Sequence, residues 1–341
     1  MILIIKAFKI RYFSFGIIFL LCALFLFGLF PDAKNVSKEK KDFIKWVDFG
    51  VTENALDDCY NADVSAHKEG KKLNWIDCLA YLGARYGGDF SKYKKTDLTG
   101  FTERIFKGEK IEKITADMKY FNYYKEAYSA VLGGFVGEYE IETIDENNLR
   151  KIVKKYGLKA FSPIARGYFY NHYDDFGSSR SYGYKRKHLG HDLMGSVGTP
   201  IVAVESGTVE ALGWNRYGGW RIGIRSFDKK RYYYYAHLRR DHPYNDEIYE
   251  GKTVKAGDVI GYLGMTGYSI KENVNNINTP HLHYGMQLIF DESQKEGNGE
   301  IWIDMYAITN FLEKNKSTVE KNYENGEFYR KFEMFEDLTN D

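Results

Sequence analysis

Five side chains in the C-terminal half offer the chemistry of a metal-assisted reaction. His188 and Asp192 stand around Gly190, His237 lies in Ala236-His237-Leu238, and His281 and His283 alternate in Pro280-His281-Leu282-His283. Imidazole nitrogen and carboxylate oxygen suit a borderline-soft divalent cation such as Zn²⁺. A catalytic zinc site uses three protein ligands and leaves a fourth position for water. His188, Asp192 and one histidine of the His281/His283 pair would make that set, with two further imidazoles beside it. His67, His172 and His242 read as ordinary surface histidines.

Strands are the elements that must position these groups. The runs Pro200 to Val204, Gly207 to Leu212, Trp220 to Ile224 and Arg231 to Leu238 are short, β-branched or aromatic, and separated by Gly, Asn and Asp. That pattern predicts an all-β antiparallel sheet or sandwich. In an extended strand, side chains at i, i+2 and i+4 share one face. His188 and Asp192 then point together while His191 points away, and His281 and His283 share a face. The same rule groups Tyr233, Tyr235 and His237. Spacing does not bring the three strands to one point.

Upstream, residues 43 to about 139 carry apolar side chains at helical spacing, Leu73, Ile76, Leu79 and Leu82 among them. Gly87-Gly88 and Gly133-Gly134 mark helix ends. Glu146 to Tyr156 reads as a connecting helix, and Trp302 to Lys314 as a C-terminal helix packing on the β domain. Beyond Asn315 the chain is charged and reads as loose, with a short amphipathic segment around Phe328 to Phe335. Cys59 and Cys78 are either a disulfide in an oxidising space or two buried thiols. Tyr217 and Trp220 are candidates to line a groove.

The N-terminus reads as an address. Lys6, Lys9 and Arg11 precede an uncharged run from Tyr12 to Phe30, long enough as a helix to cross a bilayer. Bulky Phe30 near Pro31 does not suit signal cleavage, so an uncleaved single-pass anchor is expected, with everything after it on the outer side of the cytoplasmic membrane. The charge, 48 Lys+Arg against 47 Asp+Glu, argues against nucleic acid as a partner. The 29 tyrosines and 23 phenylalanines fit aromatic packing more readily than a dedicated binding platform.

Residues 175–288 resemble the lysostaphin-type, or LytM-type, zinc metalloendopeptidases of bacterial cell walls. The matching text runs from Asp175-Phe-Gly177 through His188-Leu-Gly-His-Asp192, Gly198-Thr-Pro-Ile-Val-Ala203, Tyr217-Gly-Gly-Trp220, Tyr235-Ala-His-Leu238 and Val254-Lys-Ala-Gly-Asp-Val-Ile-Gly261 to Thr279-Pro-His-Leu-His283. The resemblance implies a duplicated hybrid motif fold, zinc held by His188, Asp192 and His283, and His281 and His237 as catalytic imidazoles. It implies hydrolysis of peptide bonds in peptidoglycan stem or crosslinking peptides. Some relatives instead use this fold as a non-catalytic scaffold or activator in a cell-envelope complex, commonly after losing one of these five positions; all five are intact here. Gly285 stands where many relatives have an acidic residue, and Lys271 to Asn278 expand the turn before His281.

The expected organisation is a membrane anchor (1–31), a stalk (32–42), an α-helical domain (43–145), a linker (146–160), a LytM-type β metallopeptidase domain with its flanking helix (161–316) and a charged tail (317–341). The helical domain resembles no family and could inhibit, position the β domain or bind a cell-envelope protein.

Overall fold

The computed structural model describes residues 43–182, 184–297 and 299–336. The expected membrane anchor and stalk lie outside the described residues. Among the described residues no helix is long and apolar enough to cross a membrane.

The helical segment contains α1 (Glu53–Lys68), α2 (Trp75–Tyr86), α3 (Lys95–Phe106), α4 (Ile111–Ile114) and α5 (Phe121–Leu132). Asn74 starts α2 by accepting hydrogen bonds from Ile76 N at 2.8 Å and Asp77 N at 3.4 Å, satisfying donors that have no partner inside the helix. Gly87, in the left-handed region at φ 66°, ends it, and α5 stops before Gly133-Gly134, where the sequence placed both ends. Cys59 and Cys78 are free, fully buried thiols. Burial, with Cys78 alongside, pushes the Cys59 thiol well up, so it is an inert packing group.

The expected connecting helix is instead the second strand of a hairpin, β1 (Val136–Ile144) and β2 (Arg150–Leu158). The cause is the turn: Asp145 Oδ1 accepts from Asn147 N and Leu149 N, both at 2.9 Å, and Asn148 takes φ 61°. Such a turn reverses the chain, and Ile152-Val153 then follow in extended backbone, which β-branched side chains favour.

After the short β3 (Asn171–His172), a second hairpin joins β4 (Ser179–Tyr182) to β5 (Tyr184–Lys187). Then come β6 (His191–Met194), β7 (Pro200–Val202), β8 (Gly207–Asn215), β9 (Gly219–Ser226), β10 (Arg231–Ala236), β11 (Thr253–Val254), β12 (Val259–Tyr262), β13 (His281–Leu288) and β14 (Ile301–Ile303). An eight-stranded antiparallel sheet forms in the order β11-β8-β9-β10-β13-β6-β3, with β14 also on β13, and β12 pairs β7 in a smaller sheet. One face of the large sheet is core: Leu193, Ile222, Ile224, Tyr233, Tyr235, Leu282, Tyr284 and Met286 are fully buried there. The other face carries the candidate site.

Two more expectations change. Trp302 and Ile303 belong to β14, and the C-terminal helix α6 runs only from Tyr306 to Leu312. Its Phe311 packs on Trp75 at 5.7 Å and Tyr60 at 5.6 Å between ring centroids, so it joins the helical segment to the sheet. The described part of the tail is built into the fold: β15 (Val319–Lys321) pairs β16 (Phe328–Arg330), and β17 (Met334–Phe335) adds to β1. Met334 is fully buried, and Arg330 donates to Ala256 O at 2.9 Å; burial and these bonds offset the entropy of ordering a polar segment.

Helices and sheet share one hydrophobic core within the single compact unit beginning at Ile44. Arg231 pins them together. Its guanidinium binds Glu205 through Nε at 2.7 Å and Nη2 at 2.9 Å, and donates to Ala130 O of α5 at 2.7 Å. Gly134 allows the approach, since a Cβ there would meet Glu205 Oε1 at 1.7 Å.

Candidate metal centre and groove

Three strands in register bring the site together. β13 pairs His283 with Asp192 of β6 on one side and with Ala236 of β10 on the other, and His281 opposes Met194. His281, His283 and Asp192 therefore share the open face while His191 turns into the core, as alternation predicts. His188 arrives from the loop before β6. Its Nε2 lies 3.0 Å from Asp192 Oδ1 and 3.1 Å from His283 Nδ1, and the latter two are 2.9 Å apart. Gly190 makes room, since a Cβ there would meet the His283 ring at 2.4 Å.

Three acceptor atoms within about 3 Å of one another suit a common cation. Ligands at about 2.0–2.2 Å from a tetrahedral zinc ion would sit only slightly farther apart than these atoms. His188, Asp192 and His283 form a donor set able to hold a metal ion. Burial opposes a charge on Asp192, yet His188 and His283 outweigh it and hold its carboxyl far below the usual range. Burial would also lower the His188 pKa, but Asp192 and Asp175 raise it. The anionic member therefore stays ionised at any working pH.

His237 corrects the alternation rule. Tyr233 and Tyr235 face the core, but β10 ends at Ala236 and His237 takes φ 61°, a strained conformation for this residue. Its ring thereby swings to the open face, 4.8 Å from His281 and 5.8 Å from His283 between centroids. His237 Nδ1 donates to Thr266 O and His281 Nδ1 to Thr279 O, each at 2.8 Å. A carbonyl can only accept, so each Nδ1 carries a proton and each Nε2 is turned to the open face. Burial, with His281 and His283 nearby, keeps His237 neutral by pushing its pKa well down.

The surrounding partners were not foreseen. Asp175 Oδ1 accepts from His188 Nδ1 at 3.0 Å, fixing the tautomer that presents Nε2. Arg180 bridges Asp175 and Asp192, reaching Asp192 Oδ2 at 3.1 Å. Only the Asp175-Phe176-Gly177 text signalled this region, without a role for the aspartate. Nor is His172 a plain surface residue, as its Nδ1 is 2.8 Å from His191 Nε2. His242 pairs with buried Glu327, and exposed His67 stacks on Tyr156.

Residues 186–296 match peptidase family M23. The chain carries an M23 peptidase domain. Over 124 residues it is 40% identical to the L-Ala–D-Glu endopeptidase of Bacillus subtilis, covering 36% of each protein. It is 39% identical to lysostaphin of Staphylococcus simulans over 98 residues, 28% of this chain and 17% of that one. The chain thus spans little over a third of the former relative's length and under a fifth of the latter's. A crystal structure from Ruminococcus gnavus, described as a candidate glycyl-glycine endopeptidase lytM, superposes with a TM-score of 0.51 at 25% identity, covering 79% of this chain and 91% of that one. That coverage exceeds the M23 domain, so the likeness includes helical segment.

A groove of about 680 Å³ opens over the M23 centre. Tyr232, Tyr234, Gln287 and Trp302 line it, with Tyr217 and Tyr268 beside His237. Trp220 is not among its walls; its indole donates to Asn273 Oδ1 at 3.0 Å and packs on Trp214. Asn273 belongs to the expanded turn, which therefore braces Trp220 at the core-side start of β9.

Proposed function

We propose that this protein is a zinc-dependent endopeptidase that hydrolyses peptide bonds in the stem or crosslinking peptides of peptidoglycan. The observation that carries this reading is the triangle of His188, Asp192 and His283 with two further imidazoles, His281 and His237, turned toward it. Zinc held by those three residues would polarise the scissile carbonyl and make hydroxide available near neutral pH. His281, whose Nε2 lies 3.8 Å from Asp192 Oδ1, receives the water proton as general base. His237, held neutral and anchored to Thr266 O, presents its Nε2 lone pair to the groove and accepts a hydrogen bond that orients the substrate. Asp175 and Arg180 hold His188 and Asp192 in place. The kinship with the L-Ala–D-Glu endopeptidase and lysostaphin supports a cell-wall peptide as substrate.

The apolar run Tyr12 to Phe30 supports attachment to the cytoplasmic membrane with the M23 domain outside, where that substrate lies.

Digestion of purified peptidoglycan by the zinc-loaded protein, with fragments identified by mass spectrometry, tests the reading. New peptide termini should appear with the intact protein and be absent with His281→Ala. Intact peptidoglycan after treatment with folded, zinc-loaded protein would sink it.

A further inference from the structure

The groove walls are cationic where they approach the histidines. Arg186, on the β4–β5 hairpin, is wedged between two rings, its Cζ 5.0 Å from the Tyr217 centroid and 5.2 Å from that of Tyr268. Its Nη2 donates to Tyr268 Oη at 2.8 Å, while its Nη1 has no hydrogen-bond partner. Arg221 extends from β9 on the same open face, because Gly223, two residues on, pairs with Tyr234 of β10. Among the described residues, neither guanidinium pairs with a carboxylate. Both act on the Tyr234 hydroxyl: burial raises its pKa, and Asn215, Arg221 and Arg186 pull it back. The groove's carboxylates other than Asp192 are Glu296 and Glu300, and Glu300 accepts from Trp302 Nε1 at 2.7 Å.

Two guanidinium groups that line one groove, neither with a carboxylate partner among the described residues, are an unmet demand for an anion. Carboxylates match the planar fork of arginine in two parallel hydrogen bonds, and a partly desolvated site strengthens them. We propose that Arg186 and Arg221 are specificity residues that receive a free carboxylate of the substrate peptide close to the scissile bond. This deepens the hydrolase reading and rests on its assignment of the groove to wall peptides. An acidic stem peptide satisfies it, whereas a glycyl–glycine bridge offers no side-chain anion. In a stem peptide the carboxylate could be that of the isopeptide-linked glutamyl residue or the one at the chain end.

Calorimetric titration of the zinc-loaded, full-length His281→Ala protein in mild detergent separates these cases. The titrants are L-Ala-γ-D-Glu-L-Lys-D-Ala, the same peptide amidated at the glutamyl α-carboxyl, and the same peptide amidated at its C-terminus. Amidation at one carboxyl should weaken binding about tenfold or more, and the position that matters names the source. In Arg186→Gln or Arg221→Gln the acid and amide forms should bind alike, while Arg186→Lys should keep part of the preference. Zinc content and circular dichroism establish that the variants fold; if one does not, the other and the amidated peptides decide. Equal affinity for all three peptides, no binding of any, or discrimination that survives both glutamine variants would overturn the proposal. Discrimination in binding without cleavage of peptidoglycan by the unmutated protein would leave recognition of the carboxylate by Arg186 and Arg221 standing and remove the hydrolase reading instead.

Discussion

His281 and His237 resemble each other in tautomer and differ in surroundings, which separates the consequences of changing them from those of changing the triad. On the proposed function, removing an imidazole from the triad takes away a metal ligand, so His188→Ala or His283→Ala should lose zinc, measured by metal analysis after dialysis, together with activity. His281→Ala should keep zinc and lose about 10²- to 10⁴-fold in rate, the usual worth of positioned acid–base catalysis. Loss of zinc from His281→Ala would contradict that division of roles. His191 gives a prediction about stability rather than chemistry. Burial, with His172 beside it, pushes its pKa from 6.5 down to about 3. Between these values the unfolded chain binds a proton that the folded chain refuses, so stability is present above pH 6.5 and is lost as pH falls. In metal-free protein, His191→Gln should flatten that fall by up to about 1.4 kcal/mol per pH unit, read from urea unfolding at pH 5 and pH 7.

At the scale of elements, α5 is tied to β10 through Arg231, which donates to Ala130 O and pairs with buried Glu205 and part-buried Asp228. Arg231 is 2% exposed and Glu205 7%, and Tyr233 Oη adds a 2.5 Å hydrogen bond to the same carboxylate. Truncating one partner strands a charge where water cannot reach it, so Arg231→Ala should cost about 3–5 kcal/mol in urea unfolding. Arg231→Met paired with Glu205→Leu should cost less, because the buried Glu205 carboxylate is not then left alone and the remaining partner, Asp228, has access to water. Equal losses in the single and double variants would show that packing, not charge, holds the two elements. Nearby, a cavity of about 810 Å³ between the β1–β2 hairpin and Arg231 has its own ion pairs, Lys154 with Glu138 and Lys159 with Glu336.

For the whole molecule, the shared core predicts one cooperative unit. Calorimetry should show helices and sheet melting in a single transition, since Phe311 of α6 sits among Tyr60 and Trp75 of the helical segment. A chain cut to begin at Leu158 would bare that surface, and it should unfold at lower urea concentration than the full chain or aggregate. Two separate transitions would mean that the helical segment folds on its own. The same truncation addresses latency, for higher cleavage per folded molecule without the helices would make them inhibitory.

Much of the open face was legible before any coordinates. The period-2 rule placed His281 with His283 and turned His191 away from Asp192, because strand side chains alternate by covalent geometry wherever the backbone stays extended. Helix ends at Gly87 and Gly133 were likewise local, set by a left-handed cap in one case and a glycine pair in the other. The rule failed at His237, where the strand ends and a positive φ turns the ring, and at Glu146 to Tyr156, where an aspartate-centred turn overrode a helical reading. The amino-acid sequence by itself determined which groups could bind a metal and which neighbours each has along its own strand. The tertiary structure decided that β6, β10 and β13 lie side by side, that Asp175 and the Thr266 carbonyl orient His188 and His237, and that Arg186 and Arg221 face one groove. Those relations depend on contacts between residues a dozen or more positions apart, which local backbone preferences do not encode.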